Sequence, residues 1–132
     1  AGPWPLRPVV ADEAPGPSPV ASLQARIAAW DRIVRQVEAG YAFDLDDWLN
    51  DMDLRRAIAE AMAGLPPDQR LMHRPLAAAD RRFRHATVAA GKCLWGSAVA
   101  AREGWRPGRQ WWYFRRPRRG NPALDQDIES VA

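Results

Sequence analysis

The stretch DLDDWLNDMDLRR, residues 44 to 56, sets five aspartates within ten positions and ends on Arg55 and Arg56. Carboxylates at this density could hold a divalent cation, work as an acid and base pair, or present negative charge to a basic partner. A calcium loop needs glycine at its sixth place and a bidentate glutamate at its twelfth. Counted from Asp44, those places hold Leu49 and Arg55. Acid–base catalysis needs a partly desolvated concavity that drives two carboxyl pKa values apart. On a helical wheel Leu45, Trp48, Leu49 and Met52 take one side, and Asp46, Asp47, Asn50, Asp51 and Asp53 the other, which describes a convex, wet face. Asp44 suits an N-cap, Asp46 and Asp47 complement the positive end of the helix dipole, and Asp51 is expected to reach Arg55 one turn on. What remains is a ridge of Asp46, Asn50 and Asp53, with Leu54 stranded beside it. It reads as a solvated face or as a docking surface for a basic protein partner.

The second chemically dense segment is RPGRQWWYFRRPRRG. Arg109, Trp111, Trp112, Arg115, Arg116, Arg118 and Arg119 are candidates for binding nucleic acid, since aromatic rings stack on bases and arginines neutralise phosphates. The aromatic density from Gln110 to Arg116 favours an extended strand. Successive strand residues face opposite ways, so at most two of Trp111, Trp112, Tyr113 and Phe114 could share a platform. A lid over the core and a contact with a protein partner are the other readings of this strand. His73 and His85 are too far apart for a helical ligand pair, and with the lone Cys93 they form no zinc spacing. A Cys93–His85 nucleophile pair stays open on paper. No metal, cofactor or enzymatic activity is expected.

These segments must be positioned by helices. Leu23, Ile27, Trp30, Val34, Val37 and Tyr41 recur at spacings of three and four, and Gly40 follows as a stop. The acidic helix ends near Leu65, before Pro66 and Pro67. A third helical region runs from about Pro67 to Ala90, broken or kinked at Pro75, with Met72, Leu76, Ala79, Phe83 and Ala86 on one face and Asp80 paired by default with Arg84. A short helix follows at Ser97 to Arg102. The expected fold is mainly α: a small helical bundle of four to five helices closed by one extended Trp-rich C-terminal segment. Residues 1–19 hold six prolines and read as an extended arm, 20–117 as the helical domain, and 118–132 as a flexible tail with at most a weak helix at Asp125 to Ser130.

With 132 residues, 47% of them hydrophobic and 27% charged, the chain has the composition of a single globular domain. No apolar run approaches the roughly 18 residues that cross a bilayer, and the first twenty residues lack the layout of a secretory signal. A single cysteine suits a reducing compartment, so a cytoplasmic location without membrane association is expected. The net charge of +3 hides a polarity. Glu38 to Glu60 carries −5 and Arg102 to Arg119 carries +6. With 18 arginines to one lysine, arginine richness itself carries little weight.

Three motifs in order, DLDDWLNDMDLRRAI, PLAAADRRFRHAT and WWYFRRP, resemble a group of small bacterial proteins with an acidic helix, a D-x-x-F-x-x-x-T helix and a Trp-rich closing strand. The resemblance covers about residues 30 to 117 and omits the proline arm and the tail. Such proteins look like the immunity partners of secreted bacterial toxins. The resemblance singles out Asn50, Asp51, Asp53, Arg55, Asp80, Phe83 and Thr87, and it implies no catalytic residues. It implies a non-enzymatic binding protein, and the acidic ridge itself is complementary to a basic partner such as a nuclease or toxin. Nucleic-acid binding through the arginine and aromatic segment is the alternative.

Overall fold

The computed structural model describes residues 18–68 and 73–132. The proline-rich stretch through Pro17, and Met72, lie outside them. The fold is mainly α, with five helices and a two-stranded sheet among the described residues. α1 spans Pro19–Ala39, α2 Leu45–Ala63, α3 His73–Ala86, α4 Ser97–Glu103 and α5 Pro122–Glu129. β1 (Thr87–Ala89) pairs antiparallel with β2 (Arg115–Pro117), and a 3-10 turn, Trp111–Phe114, leads into β2.

α1 begins where its residues allow. Ser18 accepts the amide of Ala21, and Pro19 takes the first turn, where a missing N–H costs nothing. Pro19 therefore belongs to the helix and not to the arm. Leu23, Ile27, Trp30, Val34 and Val37 are all buried, as their spacing requires. Gly40 ends the helix at φ 113°, a backbone region that disfavours side chains. α2 starts with a capping box: Asp44 accepts the amide of Asp47, and Asp47 accepts that of Asp44. Pro75 lies in the first described turn of α3 and does not break it. α3 stops at Ala86, short of the expected Ala90, because Thr87 to Ala89 join the sheet.

α1 packs on both α2 and α3. The seam is aromatic: fully buried Phe83 lies 5.0 Å from Trp30, 5.8 Å from Trp48 and 5.8 Å from Trp111, ring centre to ring centre. Each such pair contributes about 0.5–1.5 kcal/mol beyond the area it buries.

Two expectations about the C-terminal part are corrected. WWYF forms a 3-10 turn and not a strand; with three residues per turn, Trp112 and Tyr113 are buried while Trp111 and Phe114 are left half-buried. The extended closing segment is limited to β2. Residues 118–132, read as a flexible tail, carry α5. Asn121 caps it by accepting the amide of Leu124, Pro122 opens it, and Leu124 and Ile128 are fully buried in the core. The backbone amide of Tyr41 donates to the carbonyl of Arg119, tying this end to the start of α2.

Candidate functional site

Two of the five aspartates in the acidic run are spent on the capping box. Asp51 accepts a 2.6 Å bond from the hydroxyl of Tyr41, and the expected pair with Arg55 does not form. Burial raises the Asp51 carboxyl above the usual carboxylate range, and the Tyr41 bond opposes that shift. Asp53 accepts from the Tyr113 hydroxyl at 2.5 Å and from Trp95 Nε1 at 3.2 Å. Arg56 Nε donates to the same hydroxyl at 3.0 Å, and Trp105 stacks on the Tyr113 ring at 4.1 Å. Asp53 is thus a clamp between α2 and the C-terminal segment. Leu54 is not stranded, because it packs, partly buried, against the core.

Arg55 points inward. It is buried and grips Asp80 with two bonds, Nε at 3.0 Å and Nη2 at 2.8 Å, while Trp30 Nε1 donates to Asp80 at 3.0 Å. The ring of Trp112 lies 4.8 Å from the guanidinium. Asp80 therefore pairs with Arg55 and not with Arg84. One turn past Phe83, the buried Thr87 hydroxyl accepts from Arg115 Nε at 2.7 Å and donates to the carbonyl of Phe83. Of the seven positions singled out by motif, six (Asp51, Asp53, Arg55, Asp80, Phe83 and Thr87) hold the interior or its edge together. Only Asn50 is exposed.

The free part of the acidic face is Asp46 and Asn50, both exposed and without a hydrogen bond through their side chains to any described residue. The charge balance around them is uneven. Asp31, Glu38, Glu60, Asp80, Glu103, Asp125 and Glu129 each face an arginine within 4.0 Å. None of Asp44, Asp46, Asp47, Asp51 and Asp53 has a cation at that distance among the described residues. At the two ends of this run stand the exposed large hydrophobic side chains of the described residues: Phe43, 46% exposed, just before the cap, and Trp95, 36% exposed, bonded to Asp53. The sequence reasoning missed both. Phe43 occupies the place where a hydrophobic staple would fold onto Trp48, but its ring lies 5.6 Å from Tyr41 and stays open to solvent.

The basic segment is dispersed. Trp112 and Tyr113 are core residues, Trp111 is half-buried under Arg84 at 4.0 Å, and Arg115 is tied to Thr87 and to the carbonyl of Arg84. Arg116 pairs with Asp125 and Glu129, and Arg118 Nε donates to the carbonyl of His85. Arg109 and Arg119 are exposed. Trp111 and Trp112 therefore do not form a shared stacking platform. Cys93 is buried, with desolvation pushing its thiol up, and no hydrogen bond joins it to the exposed His85. No group of three or more metal-ligating side chains occurs among the described residues, and no described helix is long and apolar enough to cross a membrane. No family model matches the chain, and neither the curated proteins nor the solved structures include a match.

Proposed function

We propose that this chain is a non-enzymatic binding protein that docks a basic protein partner on the N-terminal half of α2, as the immunity-type inhibitors of its motif resemblance would. One observation carries the reading: the aspartates of residues 44 to 53 lack the arginine partners that most other acids of the described residues have, and exposed Phe43 stands at their head. A patch of uncompensated charge steers an oppositely charged protein and speeds encounter, while an exposed aromatic side chain supplies an anchor to bury on contact. The docking residues under this reading are Phe43, Asp46 and Asn50, with Trp95 at the far edge. Asp53 and Leu54 serve it indirectly, by fixing α2 against the core.

The test is a paired capture from lysate of the source cells, with the natural chain and the Asp46→Lys, Phe43→Ser variant immobilised side by side. A basic protein held by the first, lost from the second and released by salt is the expected result. Equal retention on both, or no retained protein on either, counts against the reading.

A further inference from the structure

The 3-10 turn that dismantles the expected strand builds something else. In such a turn residues three apart fall on one side, so Trp111 and Phe114 both line a cleft of about 330 Å³. Pro107 completes its apolar wall, and Arg84, Lys92 and Arg115 supply its charge. All three cations lack a carboxylate partner among the described residues. Arg84 lies over the Trp111 ring, 4.0 Å from its centre, and its guanidinium makes no hydrogen bond to any described residue. Arg115 is held rigidly through Nε and Nη2, which leaves Nη1 free. Lys92 Nζ donates to the carbonyls of Val131 at 2.7 Å and Glu129 at 3.4 Å. Burial lowers the Arg115 pKa most, and the nearby charges of Arg84 and Arg118 lower it further, so positive charge is concentrated here.

An apolar wall with uncompensated, partly preorganised guanidinium groups fits a ligand that is flat at one end and doubly charged at the other. The cleft lies near the lower bound of about 300 Å³ for small-molecule sites. We propose that this cleft binds a nucleotide, with its phosphate on Arg84, Arg115 and Lys92 and its base against Phe114 and Pro107. The phosphate can come from a free mononucleotide or from one unit of a single strand, and both use the same contacts. The site is separate from the acidic face of α2.

Tryptophan fluorescence and calorimetric titration of the full chain with adenosine 5′-monophosphate, adenosine and inorganic phosphate test it. The expected result is saturable binding of the monophosphate at ~1 mM or below, with adenosine and phosphate each weaker by roughly tenfold or more. Arg84→Gln should weaken monophosphate binding by roughly tenfold or more, while Arg84→Lys retains part of it and Arg81→Gln, on the exposed side of α3, changes nothing. A 5′-phosphorylated adenine hexanucleotide binding far more tightly, with steep salt dependence, identifies the strand as the source. Equal affinity identifies the free nucleotide. No saturable binding of either nucleotide probe, or equal affinity for the monophosphate and adenosine, overturns the proposal whatever the variants do. Unchanged affinity in a folded Arg84→Gln variant overturns it as well.

Discussion

Replacing Asp80 by alanine should be among the most damaging single changes this domain can take. The Arg55 and Asp80 side chains are only 8% and 16% exposed, and they are joined by two bonds of 3.0 and 2.8 Å. Removing the carboxylate strands a guanidinium in the core, which costs about 3–5 kcal/mol. It also leaves the Trp30 indole N–H without its acceptor, worth about 1–3 kcal/mol, although the two losses overlap because they share one carboxylate. Stacking on Trp112 does not repay them, since a cation–π contact contributes about 2 kcal/mol and is already present. A loss of about 4 kcal/mol is a large part of the roughly 5–15 kcal/mol that holds a domain folded. Urea unfolding followed by tryptophan fluorescence and extrapolated to water measures it. The same account expects Arg55→Met combined with Asp80→Leu to recover the part of the loss due to the stranded charge, because removing both charges leaves only the Trp30 N–H unpaired. A loss below about 1 kcal/mol in Asp80→Ala, or a double variant no more stable than the single one, would refute the reasoning.

Both tyrosines of the chain, Tyr41 and Tyr113, are held above the ordinary phenol pKa of 10.0, by burial first and then by their bonds to Asp51 and Asp53. The unfolded chain releases these protons near that pH and the folded chain does not, so stability falls as pH rises past it; tyrosinate absorbance should stay flat there and appear only together with loss of the helical circular dichroism signal. Leu124→Ala should cost about 2–5 kcal/mol in urea unfolding, because the side chain is fully buried, whereas a free tail would show no change. The raised Asp51 carboxyl makes its ionised form a cost that is present above its folded pKa and relieved as pH falls toward the ordinary 3.8. Asp51→Asn, which keeps an oxygen for Tyr41, should match or exceed the natural chain in stability at neutral pH and lose that advantage on acidification; an advantage that grows at low pH contradicts the assignment.

What could be read along the chain was mainly local. The buried face of α1 follows from Leu23, Ile27, Trp30, Val34 and Val37, and Asp44 announces its cap. The partners were not legible, because a side chain near an inviting neighbour one turn away is free to choose a distant one. Asp51 takes Tyr41 over Arg55, and Arg55 takes Asp80 across 25 residues, since a buried bidentate pair outweighs a solvated one worth tenths of a kcal/mol. Aromatic density at Trp111–Phe114 suggested strand, yet burying two adjacent rings while leaving the outer two partly open requires a period near three. The signals of α5 were present in Asn121, Pro122, Leu124 and Ile128, but two apolar residues are too few to reveal a buried face until the rest of the core exists. For the candidate site, Asp46 and Asn50 were legible as exposed polar positions. The anchoring of Asp53 and Leu54 and the exposure of Phe43 and Trp95 depend on chain segments that meet only in the folded molecule.

The most direct measurement of the docking claim is the association and dissociation rate of the partner recovered by capture, against the natural chain, Asp46→Lys and Phe43→Ala, at low and at physiological salt. Asp46→Lys should slow association several-fold at low salt and less at physiological salt, because steering weakens as the Debye length shrinks to about 8 Å. Phe43→Ala should leave association nearly unchanged and speed dissociation, as losing a buried anchor does. Rates unaltered by both substitutions, with the fold intact by circular dichroism, would contradict the claim and leave the aspartates at the head of α2 as capping groups and solvated charge.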